Sequence, residues 1–170
     1  MLSESARMTT AEEARYRIDY PNSKPRAVKV IALDGSSEQV VKRLAEGKWQ
    51  SASFFTSLKF DGTPRTGEGW SMAAWLSDLA GRTKALLEEV ATADLVVMVA
   101  SAGTCAQAAA VIGEACAVRK VMTTALIIGS EQHSDEELSK TLATLRPHAQ
   151  MLVIANGDEY IEEMLAALRA

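Results

Sequence analysis

Short, mostly apolar runs of strand length recur along this chain between stretches of helical pattern, and no other feature restricts its fold so strongly. A strand with one face in water alternates apolar and polar residues, whereas a strand covered on both faces is apolar almost throughout. The runs at 28–33, 52–58, 95–100, 122–128 and 151–154 are of the second kind, Leu95-Val96-Val97-Met98-Val99-Ala100 most plainly. Helices are expected between them at 37–46, 71–92, 104–119, 134–145 and 158–168. In the longest, 71–92, the residues Met72, Trp75, Leu76, Leu79, Leu86, Leu87 and Val90 follow the spacing of one buried helical face. That places Trp75 in the core, while Trp70, beside Gly69, suits an exposed contact or a lid. Ser134-Asp135-Glu136-Glu137 is a capping box, in which hydroxyl and carboxylate satisfy the free N–H groups of a helix start. Strands alternating with helices predict an α/β fold, a three-layer αβα sandwich around a mostly parallel, Rossmann-like sheet.

The 170 residues are enough for one domain with a full core, expected over 27–170 behind a polar arm, 1–26, that carries Pro21 and Pro25. A content of 48% hydrophobic and 24% charged residues excludes a disordered or collagenous chain. The 22 acidic and 18 basic residues are interspersed without a basic block, so neither nucleic acid nor an anionic membrane is expected as a partner. A small-molecule ligand or a protein is. No run approaches the roughly 20 apolar residues that cross a bilayer. The opening Met1-Leu2-Ser3-Glu4-Ser5-Ala6-Arg7 lacks the apolar stretch of a secretory signal, and a cytoplasmic location is expected. Cys105 and Cys116 fall in one predicted helix about 16 Å apart along its axis. A disulfide needs Cα atoms within about 7 Å, so none is expected between them. With His133 and His148, both expected at the solvent, they show no zinc-ligand spacing.

In a doubly wound sheet, ligands bind where the chain leaves the carboxyl ends of the strands. Those exits are Asp34-Gly35-Ser36-Ser37, Ser101-Ala102-Gly103-Thr104-Cys105, Gly129-Ser130 and Asn156-Gly157-Asp158. The candidate ligand-binding residues are therefore Asp34, Gly35, Ser36, Ser37, Ser101, Gly103, Thr104, Cys105, Asn156 and Asp158. The same residue types also serve as caps and turns. Asp34 suits a ribose hydroxyl or a metal, but before Gly-Ser-Ser the turn and cap are the favoured reading. Cys105, in the first turn of a predicted helix, would have its thiol pKa lowered by the helix dipole, or would serve as a small buried hydrophobe. Asn156 and Asp158 either reach the crevice or cap the last helix. No G-x-x-x-x-G-K-S/T, G-x-G-x-x-G after a strand, H-E-x-x-H or G-x-S-x-G occurs, so no motif assigns an enzyme and no catalytic residue or metal site is identified.

Several stretches nevertheless fall in the order of a known family. The segment 28–43, V-K-V-I-A-L-D-G-S-S-E-Q-V-V-K-R, is similar to I-K-V-I-G-V-G-G-G-G-G-N-A-V-N-R. Gly67-Glu68-Gly69 stands where a G-A-G loop is expected, and 93–99, A-D-L-V-V-M-V, is similar to A-D-M-V-F-V. Residues 108–114, A-A-A-V-I-G-E, match A-A-P-V-I-A-E, and 145–156, L-R-P-H-A-Q-M-L-V-I-A-N, match L-R-E-x-V-D-S-L-I-V-I-P-N. Across about 28–165 the chain thus resembles the GTP-binding domain of the tubulin and FtsZ family. The resemblance implies a parallel core ordered 2-1-3-4-5, with an extra edge strand near 60–66.

The departures fall on the family's chemistry. Its G-G-G-T-G-T-G loop is here Ser101-Ala102-Gly103-Thr104-Cys105-Ala106-Gln107, and side chains obstruct the close backbone approach that cradles a phosphate. Asp34 and Glu38 replace glycines in the first loop, setting two carboxylates against a triphosphate; they are expected to face a helix opened by 103–105 across one crevice. The N-T-D after the second strand is Leu58-Lys59-Phe60, and the family's central helix and hydrolytic acidic loop do not follow within the sequence. GTP hydrolysis in the family's manner is therefore not expected. The leading reading is a non-hydrolytic binding or regulatory module for a small ligand or a protein partner. Two alternatives stay open: a small-molecule enzyme using Asp34, Thr104, Cys105 or Asp158, and a protein that holds GTP or GDP without efficient turnover. A closed homodimer is expected, since the family's head-to-tail contact needs a second domain.

Overall fold

Because the apolar runs carry almost no charge to place in water, they pair with one another at the centre of the molecule and leave the helices to cover them. The computed structural model describes residues 25–57, 75–78, 83–104, 106–155 and 158–170. In chain order these form β1 (Val28–Ala32), α1 (Gly35–Ala45), β2 (Ala52–Thr56), β3 (Trp75–Asp78), β4 (Thr83–Ala85), α2 (Leu86–Ala91), β5 (Leu95–Ser101), α3 (Ala108–Arg119), β6 (Met122–Ile128), α4 (Asp135–Leu145), β7 (Met151–Ala155) and α5 (Asp158–Ala167). The strands make one sheet in the order β4-β3-β2-β1-β5-β6-β7. β2, β1, β5, β6 and β7 are mutually parallel, in the expected 2-1-3-4-5 order. β3 and β4 extend it antiparallel beyond β2.

Side chains alternate between the two faces of each strand and so build two cores. On one face Ile31, Met98 and Ile127 pack with Leu86 and Val90 of α2, Ile112 of α3 and Leu145 of α4. On the other, Val30, Val97 and Leu126 pack with Val40, Val41 and Leu44 of α1 and Ile161 and Leu165 of α5. This is the predicted three-layer sandwich. Lys29 is a polar exception in β1. Its amine pairs with Glu89 of α2 at 3.0 Å and lies 5.8 Å from the centre of the Phe55 ring.

The expected helix over 71–92 is corrected. Trp75 and Leu76 lie in β3, Thr83–Ala85 is β4, and helix begins only at Leu86. The free edge of β2 offers a row of backbone donors and acceptors, and pairing with them outweighed a helical spacing that a short segment carries only weakly. α3 is also shorter than expected, starting at Ala108 rather than 104. The edge strand expected near 60–66, Trp70, the loop 60–69 and the arm 1–24 lie outside the described residues.

α4 opens on the expected capping box. Ser134 Oγ accepts from the N–H of Glu137 at 3.3 Å, and Glu137 Oε2 accepts from the N–H of Ser134 at 3.0 Å. That backbone hydrogen bond, with others from the Ser134 hydroxyl and His133, holds the Glu137 carboxyl below its ordinary value of 4.5. A lowered folded pKa contributes stability above the ordinary carboxylate range and loses it as pH falls through the folded value. The stability advantage of the parent over Glu137→Gln is accordingly expected to be constant near neutrality and to shrink below about pH 4.5, read from urea midpoints across an acid series.

Candidate functional site

The order of the parallel strands reverses between β1 and β5, because the chain winds from β1 to β2 on one side and later returns to β5 on the other. At such a switch point two neighbouring exit loops turn to opposite faces and open a crevice. Here that position holds Asp34 and the segment 101–104.

Asp34 is extended, at φ −148° and ψ 172°, and caps α1. Its Oδ1 accepts from the Ser37 N–H at 2.9 Å and from the Ser101 hydroxyl at 2.8 Å. Its Oδ2 accepts from the Ser101 N–H at 2.7 Å, and the Thr104 hydroxyl lies 3.2 Å from it and 2.7 Å from the Ser101 carbonyl. The turn-and-cap reading thus holds, and the carboxylate does more than cap. It bridges the first turn of α1 to the exit of β5. Ser37 is buried and completes a capping box, its Oγ accepting from the Asp34 N–H at 3.1 Å, while its hydroxyl donates to the Asp34 carbonyl at 2.9 Å. Gly35 and Ser36 are exposed in the same turn, and no atom outside its immediate chain neighbours lies within 4 Å of a Cβ built on Gly35.

The other side of the 101–104 segment is held by α4. Gly103 has φ +80°, a conformation that side chains rarely adopt, and its N–H donates to Thr141 Oγ1 at 3.0 Å. A Cβ there would also stand 3.0 Å from His133 Nδ1, so His133 lies over Gly103 while reaching Glu137 at 3.4 Å. Thr141 is buried and was not singled out from the sequence. A polar side chain on the apolar face of α4, between Leu138 and Leu145, is the signal that marks it. His148, expected at the solvent, is half-buried, with its Cβ against Gly113 of α3.

Glu38 departs from the expectation that it faces the crevice. It pairs along α1 with Lys42 at 2.6 Å, one helical turn away. Nor do Gly103 and Thr104 open a helix, since α3 starts at Ala108 behind Gln107. Cys105 and Asn156 lie outside the described residues, as does the side chain of Asp158, whose backbone begins α5. Cys116 is buried in the core, which pushes its thiol up to about 12 and leaves it a poor nucleophile.

All buried side-chain nitrogen and oxygen atoms among the described residues have a hydrogen-bond partner. The described polar groups at the switch point are therefore internally satisfied. Among the described residues no helix is long and apolar enough to cross a membrane, and no group of three or more His, Cys, Asp and Glu side chains could hold a metal ion. The fold and this site together define a doubly wound α/β domain whose switch point is bridged by a carboxylate. No model of a known protein family matches the chain, and no curated protein matches it in sequence.

Proposed function

We propose that the chain is a non-hydrolytic binding module of the tubulin and FtsZ type that acts through a protein partner rather than through a nucleotide. One observation carries this reading: the Asp34 carboxylate takes hydrogen bonds from α1 and from the β5 exit, in the place where a phosphate would need them. A triphosphate entering there meets a fixed negative charge and donors already engaged. The 2-1-3-4-5 order agrees with the family resemblance, although unrelated doubly wound proteins share it, so the family stays part of the proposal. With the described polar groups of the switch point satisfied from within, recognition falls to the outer surface.

The test is the thermal midpoint of the protein with GTP, GDP and ATP, each with and without Mg2+. No shift is expected. A ligand at 100 times its Kd adds about 2.7 kcal/mol, which for a chain of this length raises the midpoint by roughly 5 to 10 °C. A rise of that size with any nucleotide overturns the reading.

A further inference from the structure

Among the described residues β7 has one neighbour, β6, and keeps an unbroken parallel register with it from Thr124↔Met151 to Ile128↔Ala155. Alternate residues of such a strand turn their N–H and C=O away from that neighbour. Beside this edge the sheet is bare at one corner. On the face covered by α1 and α5, Met122 and Met151 are 44% and 40% exposed, and they share that face because Met151 pairs with Thr124, two residues beyond Met122. α5 leaves the exit of β7 but ends beside the starts of β1 and β2, where the Arg169 carbonyl accepts from the Arg26 N–H at 2.9 Å and the Ala170 backbone oxygen from the Gln50 N–H at 3.4 Å. It therefore crosses the sheet obliquely and leaves the starts of β6 and β7 open.

The chain ahead of Arg26 enters at this same end of the sheet, next to the last turn of α5. Within it Ala14-Arg15-Tyr16-Arg17-Ile18-Asp19-Tyr20 alternates apolar and polar residues at every step, the pattern of a strand with one face buried, and Pro21 follows. We propose that residues 14–20 add to β7 as an antiparallel edge strand, with Ile18 opposite Met151, Tyr16 opposite Val153 and Ala14 opposite Ala155, so that Tyr20 closes over the bare corner beside Met122. Reach fixes the direction. The edge position lies four strand spacings, about 19 Å, from β1. Residues 18–26 span up to about 26 Å when extended, enough to return from it. A parallel strand would instead leave Tyr20 at the far end of β7, and residues 20–26, which span about 20 Å, could not cover the strand's length as well as the sheet's width. Charge agrees with the antiparallel arrangement. The polar set falls on the face where Leu152 packs with Leu138 and Leu142 of α4, and it puts Arg15 toward the exit end of β7, the end at which α4 begins with Asp135, Glu136 and Glu137. A strand tethered within the same chain also stands at a high effective concentration, which a separate partner does not.

Deuterium uptake of the full chain over 14–20 and 151–155, at two concentrations about tenfold apart, tests this. Both segments are expected to exchange at least about tenfold more slowly in the parent than in Tyr16→Asp with Ile18→Asp, and equally at the two concentrations. Residues 14–20 exchanging in the parent as fast as an unstructured peptide, or protection of 151–155 that persists in the folded double-Asp variant, overturns the proposal. So does protection that rises with concentration, which would assign the strand to a second copy. Should the double-Asp variant misfold, thiol pairing decides. Ile18→Cys with Met151→Cys is expected to form an intramolecular disulfide on mild oxidation, located by peptide mass, whereas Arg17→Cys with Met151→Cys, whose side chains would leave opposite faces, is not. Equal pairing in the two variants, or none in the first, overturns the proposal.

Discussion

Asp34→Ala is expected to lose about 4 kcal/mol of stability, since it removes a helix cap and strands the Ser37 N–H and the N–H and hydroxyl of Ser101, each hydrogen bond to a charged acceptor being worth about 1.5 to 3 kcal/mol in part-buried surroundings. Urea denaturation reads this directly. Asp34→Asn should lose about half as much, because the amide keeps one acceptor and turns a donor toward groups that already donate. Millimolar inorganic phosphate should restore part of the stability of Asp34→Ala, while leaving the parent unchanged, since the deletion vacates the anion position. An Asp34→Ala protein within about 1 kcal/mol of the parent would show that water replaces the carboxylate at no cost and that the bridge is incidental.

Gly113→Ala is the second large change. In most helix interiors this substitution gains about 1 kcal/mol from propensity. On α3 the new Cβ would stand 2.6 Å from the His148 Cβ and 3.2 Å from its Cα. The Cα belongs to the backbone of the short turn Arg146–His148, so no rotamer change relieves the contact and the turn must move. A net loss of about 2 to 3 kcal/mol is expected in the same denaturation experiment. His148→Gly added to Gly113→Ala removes the nearer clash and should recover part of that loss. His148→Ala, which keeps the Cβ, should not.

What the sequence revealed depended on the range of the forces involved. β1, β5, β6 and β7 were legible because a continuous apolar run has few alternatives to burial, and the Ser134 box because its partners lie three residues apart. β3 was not. Trp75 and Leu76 carry a spacing that suits a helix, and only the open edge of β2 decides otherwise. Asp34 was legible as a cap from Asp-Gly-Ser-Ser, but its bonds to Ser101 join residues 67 positions apart, which no local pattern encodes. The same holds for Thr141, whose importance comes from the Gly103 N–H on another element.

That separation of 67 positions also sets a timetable. β1 is the strand that must end up between β2 and β5, yet β2 is available long before β5 is made. At roughly 5 to 20 residues per second, a ribosome needs roughly 3 to 13 s to progress from Asp34 to Ser101. Through that interval Val28, Val30 and Ile31 wait with one flank unpaired, while β5, β6 and β7 later close through much shorter loops. The nascent first third of this protein is thus its most exposed phase, and the carboxylate that joins it to β5 finds its partner only when that phase ends.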